Sequence, residues 1–290
     1  MKMLKNNKLE IDWFFLISGM GVFIVGTLFA KNKLSSWDLL SFFAALTFFV
    51  SIYLLQRIAH SLSNPTVVEN TRISTGKKNI KAIQYIPALF LLALIFTCLY
   101  FLLKQQVLIG INLIWLSLIS ILTFVQTSQA LHNLLKPVEW LLKSLIISPL
   151  MLLLGISVQA IPVEGLHYLL ALPIFFLLSA SFVTFEFPKF DTAPNENKNG
   201  LIARTGLDHT LQLHRILVLM AYASLLAYLY FSGTFRSHWS LILVAGISFF
   251  QMVLLNRIIL GMKPTFTLIK ATAVMQVISF IYLLIIKFVF

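Results

Sequence analysis

Four of the ten acidic residues in this 290-residue chain, Glu186, Asp191, Glu196 and Asp208, fall within 23 positions. They lie in or just beyond "EFPKFDTAPNENKNGLIARTG", residues 186–206, which also carries Lys189, Lys198 and Arg204. Carboxylates at this density can hold a divalent cation or exchange a proton, and Lys and Arg can clamp phosphate oxygens. A second stretch, residues 56–82, reads "QRIAHSLSNPTVVENTRISTGKKNIKA" and mixes Asn64, Glu69, Arg72, Lys77 and Lys78 in the same way. Glu186 closes an apolar run, where an acid at a helix C-terminus opposes the helix dipole, so its structural motive is weak. Asp191 follows Pro188 and suits a turn or an N-cap as well as a ligand position. Glu196 and Asp208 fit solvated loop acids, with Asp208 a candidate cap for the next helix. Lys136, Glu139 and Lys143, spaced three and four apart, read as ion pairs on a helix surface. His60, His132, His209 and His214 have no zinc-site spacing, and Cys98 is the single cysteine.

The elements that must position these groups are apolar. Hydrophobic residues make up 59% of the chain and charged residues 11%. With a mean hydropathy of +0.91, this excludes a soluble globular domain and indicates a polytopic membrane protein. Apolar runs fall at Trp13–Ala30, Leu39–Leu55, Ile83–Leu103, Val107–Val125, Ser144–Pro162, Leu166–Phe185, Ile216–Phe231, Trp239–Leu255 and Ala271–Ile286. Each approaches the ~20 residues that a helix needs to cross the hydrocarbon layer. The expectation is one all-α membrane domain, residues 1–290, of nine transmembrane helices around a central cavity. The first run follows "MKMLKNNKLEID" without a small-residue cleavage site and reads as a retained span. Asn112, Gln251 and Gln276 fall inside runs, where amides hydrogen-bond between helices.

Charge then sets orientation. With the N-terminus in the cytoplasm, 17 of the 22 Lys and Arg residues fall on the cytoplasmic side and 5 on the other, which places the C-terminus outside. The net charge of +12 therefore reports topology and contact with anionic lipid rather than nucleic acid. Trp13, Trp37, Trp140 and Trp239 fall at run ends, where indoles reach the headgroups. The two polar stretches, about 56–82 and 186–215, follow runs two and six on the same side, which suggests two related halves.

On these residues the chain resembles the UbiA superfamily of intramembrane prenyltransferases, whose second polar loop often reads close to E-F-P-D-Y-E-A-D-K-A-x-G-K-R-x-L-x-V-R-L-G. Glu186, Phe187, Pro188, Lys198, Leu201, Arg204 and Gly206 match without a gap, and Phe190 and Asp191 are conservative replacements. "RISTGKKNIKAI", residues 72–83, is similar to the family's R-P-x-x-S-G-x-I-S-x-x-x-A segment. The chain departs from the family's magnesium-binding motif N-D-x-x-D-x-x-x-D. With Asn64 as its Asn, Pro65, Val68 and Arg72 stand where aspartates are expected; in another register Gln56 and His60 do. Glu69 is the carboxylate left there, and in the second loop Lys189 and Ala193 replace aspartates.

The resemblance implies transfer of an isoprenoid chain from a prenyl diphosphate to an aromatic, quinone-precursor or other membrane-embedded acceptor, in a bacterial inner membrane. It implies Glu186, Asp191 and Glu69 as catalytic acids, with Glu186 and Asp191 as ligands of Mg²⁺. Asn64, Arg72, Lys77, Lys189, Lys198 and Arg204 would hold the diphosphate, although positive-inside topology alone also accounts for basic residues there. A second reading is a degenerate relative that binds an isoprenoid lipid or serves as a partner subunit. A transporter is the third, disfavoured because charged residues are scarce inside the runs, Lys143 being the nearest exception.

Overall fold

The computed structural model describes residues 12–31, 38–63, 79–105, 107, 110–125, 135–188, 200–262 and 265–289. Among them the chain is helical, and eight helices are long and apolar enough to cross a membrane. In chain order the helices are α1 (Trp13–Lys31), α2 (Leu39–Ser63), α3 (Asn79–Lys104), α4 (Ile111–Val125), α5 (Lys136–Ser157), α6 (Gly165–Pro188), α7 (Leu207–Phe231), α8 (Trp239–Ile259) and α9 (Phe266–Val289). The protein is thus an all-α membrane protein. The fourth expected span appears as the 15-residue α4, about 22 Å at 1.5 Å per residue and short of the ~30 Å hydrocarbon layer.

The helices form because their sequences are apolar all round, so every backbone group is satisfied within the helix while the side chains meet lipid or one another. Lipid is as apolar as leucine, so packing and hydrogen bonds decide which helices pair. α6 packs chiefly on α7, α2 on α3, and α1 on the last turns of α5. At that last contact Gly26 and Gly155 meet. A Cβ built on Gly26 would lie inside van der Waals contact of the Leu152 carbonyl oxygen and 3.1 Å from its carbon. A Cβ on Gly155 would strike the Phe23 carbonyl oxygen and stand 3.1 Å from the Thr27 nitrogen. Only two glycines let these backbones approach so closely.

Pro149 interrupts α5. It lacks the N–H that an α-helix needs, and residues Ile146–Leu150 widen into a π turn. The Ser148 hydroxyl there donates to the Ala171 carbonyl of α6 at 2.7 Å, which ties the widened turn to its neighbour. Gly206, at φ 85°, separates α7 from the short helix Leu201–Thr205, which packs back on Lys136–Val138 at the start of α5. Two buried apolar cores result. The larger runs through α1, α2, α5, α6 and α9, and the smaller joins Phe187, Leu201 and Ile202 to α7 and α8.

Candidate functional site

The bases of α1, α2, α5, α6 and α9 meet at one end of the bundle. Asp12 precedes α1, and its Oδ1 accepts the Phe15 amide at 3.1 Å, the bond of an N-cap. Its Oδ2 accepts from the Lys143 ammonium at 3.1 Å. Lys143 also bonds Glu139 Oε1, one turn away on α5, at 2.9 Å. The ammonium stands 5.6 Å from the centre of the Phe182 ring, within cation–π range. From α2, Arg57 donates through Nε to the Tyr53 hydroxyl at 3.0 Å, and its guanidinium lies 3.9 Å from Asp12 Oδ2. The Tyr53 hydroxyl in turn accepts the Asp12 amide at 2.7 Å. One carboxylate thereby caps α1 and joins it to α2 and α5.

Beside this network opens a pocket of about 290 Å³, lined by Asp12, Glu139, Trp140, Lys143, Phe182, Phe185, Glu186 and Lys270. Phe14 meets Phe182 and Phe185 edge to face, with centroids 5.3 and 5.1 Å away, and makes an aromatic wall next to the charges. Lys143 is largely withdrawn from solvent, with 13% of its side chain exposed against 24% for Asp12 and 25% for Glu139. Burial pushes the Asp12 carboxyl up. The Lys143 ammonium, the Phe15 amide and the Arg57 guanidinium outweigh it and hold the group below its ordinary value of 3.8.

A carboxyl depressed in the folded state adds stability that is complete above its unfolded value and fades as pH falls through the folded one. The melting-temperature gap between wild type and Asp12→Asn in detergent should therefore stay constant from about pH 7 to about pH 5 and narrow below about pH 4. A gap that widens on acidification would show that Asp12 is not held as a carboxylate.

Of the residues nominated from sequence, Glu186 lies in the pocket, half-buried. Arg204 is exposed at the last turn of Leu201–Thr205 and does not line it. Asn64, Glu69, Arg72, Lys77, Lys189, Asp191 and Lys198 lie outside the described residues, as do most of both polar stretches. The described roots of those stretches reach the same end: Arg57 touches Asp12, and Glu186 shares the pocket with it. Lys143 and Glu139 form the expected pair, partly buried rather than fully on the surface. Asp12, Tyr53 and Lys270 were not singled out by sequence. The available signal was an acid just before the first apolar run and a lone cation, Lys143, next to another.

Magnesium can be tested against the side chains present. Asp12, Glu139 and Glu186 share the pocket, but no three His, Cys, Asp or Glu side chains among the described residues are arranged to hold one metal ion. Asp12 and Glu139, the acids beside Glu186, both engage Lys143. Among the described residues this donor set does not fit Mg²⁺, which takes oxygen ligands free to face it; Glu69 and Asp191 lie outside them. The pocket instead sets paired charges beside the aromatic rings of Phe182 and Phe185. No protein-family model matches the chain, and neither a curated protein nor a solved structure does.

Proposed function

We propose that the chain is a divergent UbiA-type prenyltransferase that moves an isoprenoid chain from its diphosphate to an aromatic, quinone-precursor or other acceptor in the membrane. One observation carries the reading: Glu186, first residue of the matched stretch, lines a charged and aromatic pocket with Lys143, Lys270, Phe182 and Phe185. The distribution of Lys and Arg supports a cytoplasmic position for this end of the bundle.

In this reading the bond from the allylic carbon to the diphosphate oxygen breaks, and its electron pair leaves with the diphosphate. Lys270 and the loop cations Arg72, Lys77, Lys189 and Lys198 offset that charge, since Lys143 is already neutralised by two acids. The faces of Phe182 and Phe185 shelter the allylic cation from water. The acceptor's carbon or oxygen bonds to the cation, and Glu186 takes the proton released.

Binding of a prenyl diphosphate to the purified protein, with Mg²⁺ and with a chelator, tests this. Wild-type affinity should change by less than ~tenfold on chelation, about 1.4 kcal/mol, and Lys189→Asp should weaken binding or make it metal-dependent. Turnover to a prenylated aromatic acceptor should fall with Glu186→Gln while binding persists. Undetectable binding in both conditions would favour the reading as an isoprenoid-lipid-binding or partner protein, which the pairing of Asp12 and Glu139 with Lys143 also suits. Loss of binding on chelation would return the role to a metal held by Glu69, Glu186 and Asp191.

A further inference from the structure

We infer that His214, Gln251 and Gln276 hold buried water between α6, α7, α8 and α9, a hydrated seam inside an otherwise apolar half of the bundle. All three side chains are fully buried. Gln251 donates through Nε2 to the Thr184 hydroxyl of α6 at 3.1 Å, which leaves its Oε1 without a partner. His214 on α7 faces this carboxamide closely enough to interact with it, yet neither ring nitrogen meets the Gln251 amide or any other group with hydrogen-bond geometry. Gln276 on α9 has neither its oxygen nor its nitrogen paired. It stands one turn beyond Ala273, whose carbonyl accepts the Ser181 hydroxyl of α6 at 3.1 Å. Ser181 and Thr184, one turn apart on α6, thus hold α9 and α8 against the same face.

Five orphaned polar atoms on three adjacent helices need donors and acceptors together. The set is neutral: two amides and one imidazole. The nearby cation, Arg215, is turned outward to bond Asn256 at 3.0 Å. An ion would find no counter-charge. Water has two donors and two acceptors and is held where two to four polar groups surround it. Lipid offers these atoms nothing, so the protein must supply their partners from within.

Radiolytic hydroxyl-radical footprinting of the purified protein tests the seam, since radicals form from water held beside a side chain. Fully buried His214 should be oxidised at a rate comparable to exposed His209. It should react at least ~fivefold faster than Met151, an intrinsically more reactive side chain sealed in the apolar core. The Gln251→Leu/Gln276→Leu double variant should slow labelling of His214 severalfold and leave His209 unchanged. Wild-type His214 as slow as Met151 would show that the three side chains pair with one another in a dry core. Undiminished labelling in a folded double variant would overturn the assignment equally. Should that variant not fold, the wild-type comparison of His214 with Met151 decides alone.

Discussion

Gly26→Ala and Gly155→Ala should each lower the stability of the protein by about 3 kcal/mol or more, the upper end of what an added methyl costs in a packed interior. The reason is what the methyl would meet. At Gly26 it is the Leu152 carbonyl and at Gly155 the Phe23 carbonyl, both backbone, so no side chain can rotate away. α1 and α5 would have to separate, which would loosen the larger core along both helices. Gly246, in α8, is the control, because a Cβ there meets nothing within 4 Å. Gly246→Ala should be neutral or stabilise by up to ~1 kcal/mol through helix propensity. Thermal or denaturant unfolding in micelles gives all three values. If Gly26→Ala and Gly246→Ala proved alike, the close approach of α1 and α5 would be wrong.

Lys143→Met should be nearly as damaging, because it removes the cation shared by Asp12 and Glu139. Breaking a buried pair from one side costs ~3–5 kcal/mol. The two acids keep about a quarter of their side-chain surface, so solvent relieves part of the burden and the lower figure applies. Methionine preserves the length of the side chain, so the loss reports charge rather than shape. The comparison that isolates the mechanism is the triple variant Lys143→Met/Asp12→Asn/Glu139→Gln, which should regain most of the lost stability. A triple variant as unstable as Lys143→Met would mean that packing, not an orphaned charge, governs this site.

Eight of the nine expected spans are long apolar helices in the structure, and they were legible in sequence because a membrane helix needs only length and apolarity; the fourth is the shorter α4. Their edges were less so, for reasons that particular residues show. The fifth apolar run begins at Ser144, since Lys143 interrupts it, yet the helix starts at Lys136. The charge is tolerated because Asp12, 131 positions earlier, neutralises it. No local pattern announces a partner at that distance. The seventh run begins at Ile216 and its helix at Leu207, because Thr210 and His214 turn inward and let a polar first turn enter the bundle. Glu186, which lines the pocket, stands out in sequence by its position at the end of an apolar run. Asp12 was missed because it read as part of a charged N-terminal segment. Gln251 makes the interhelical bond expected of an intramembrane amide; Gln276 has no such partner.

The pairing of α1 with the far half of α5 also sets an order of events during synthesis. α1 leaves the ribosome well before α5, since Gly26 meets Gly155, 129 residues later (155 − 26), and Asp12 meets its cation at a similar separation. At roughly 5–20 residues per second, the first helix waits some 6–26 s in the bilayer for its chief neighbour. Meanwhile α2 and α3, adjacent in the chain and extensively packed, can close as a hairpin. During that interval Asp12 has no Lys143 to pair with, and the ion pair can latch α1 in place only when α5 arrives.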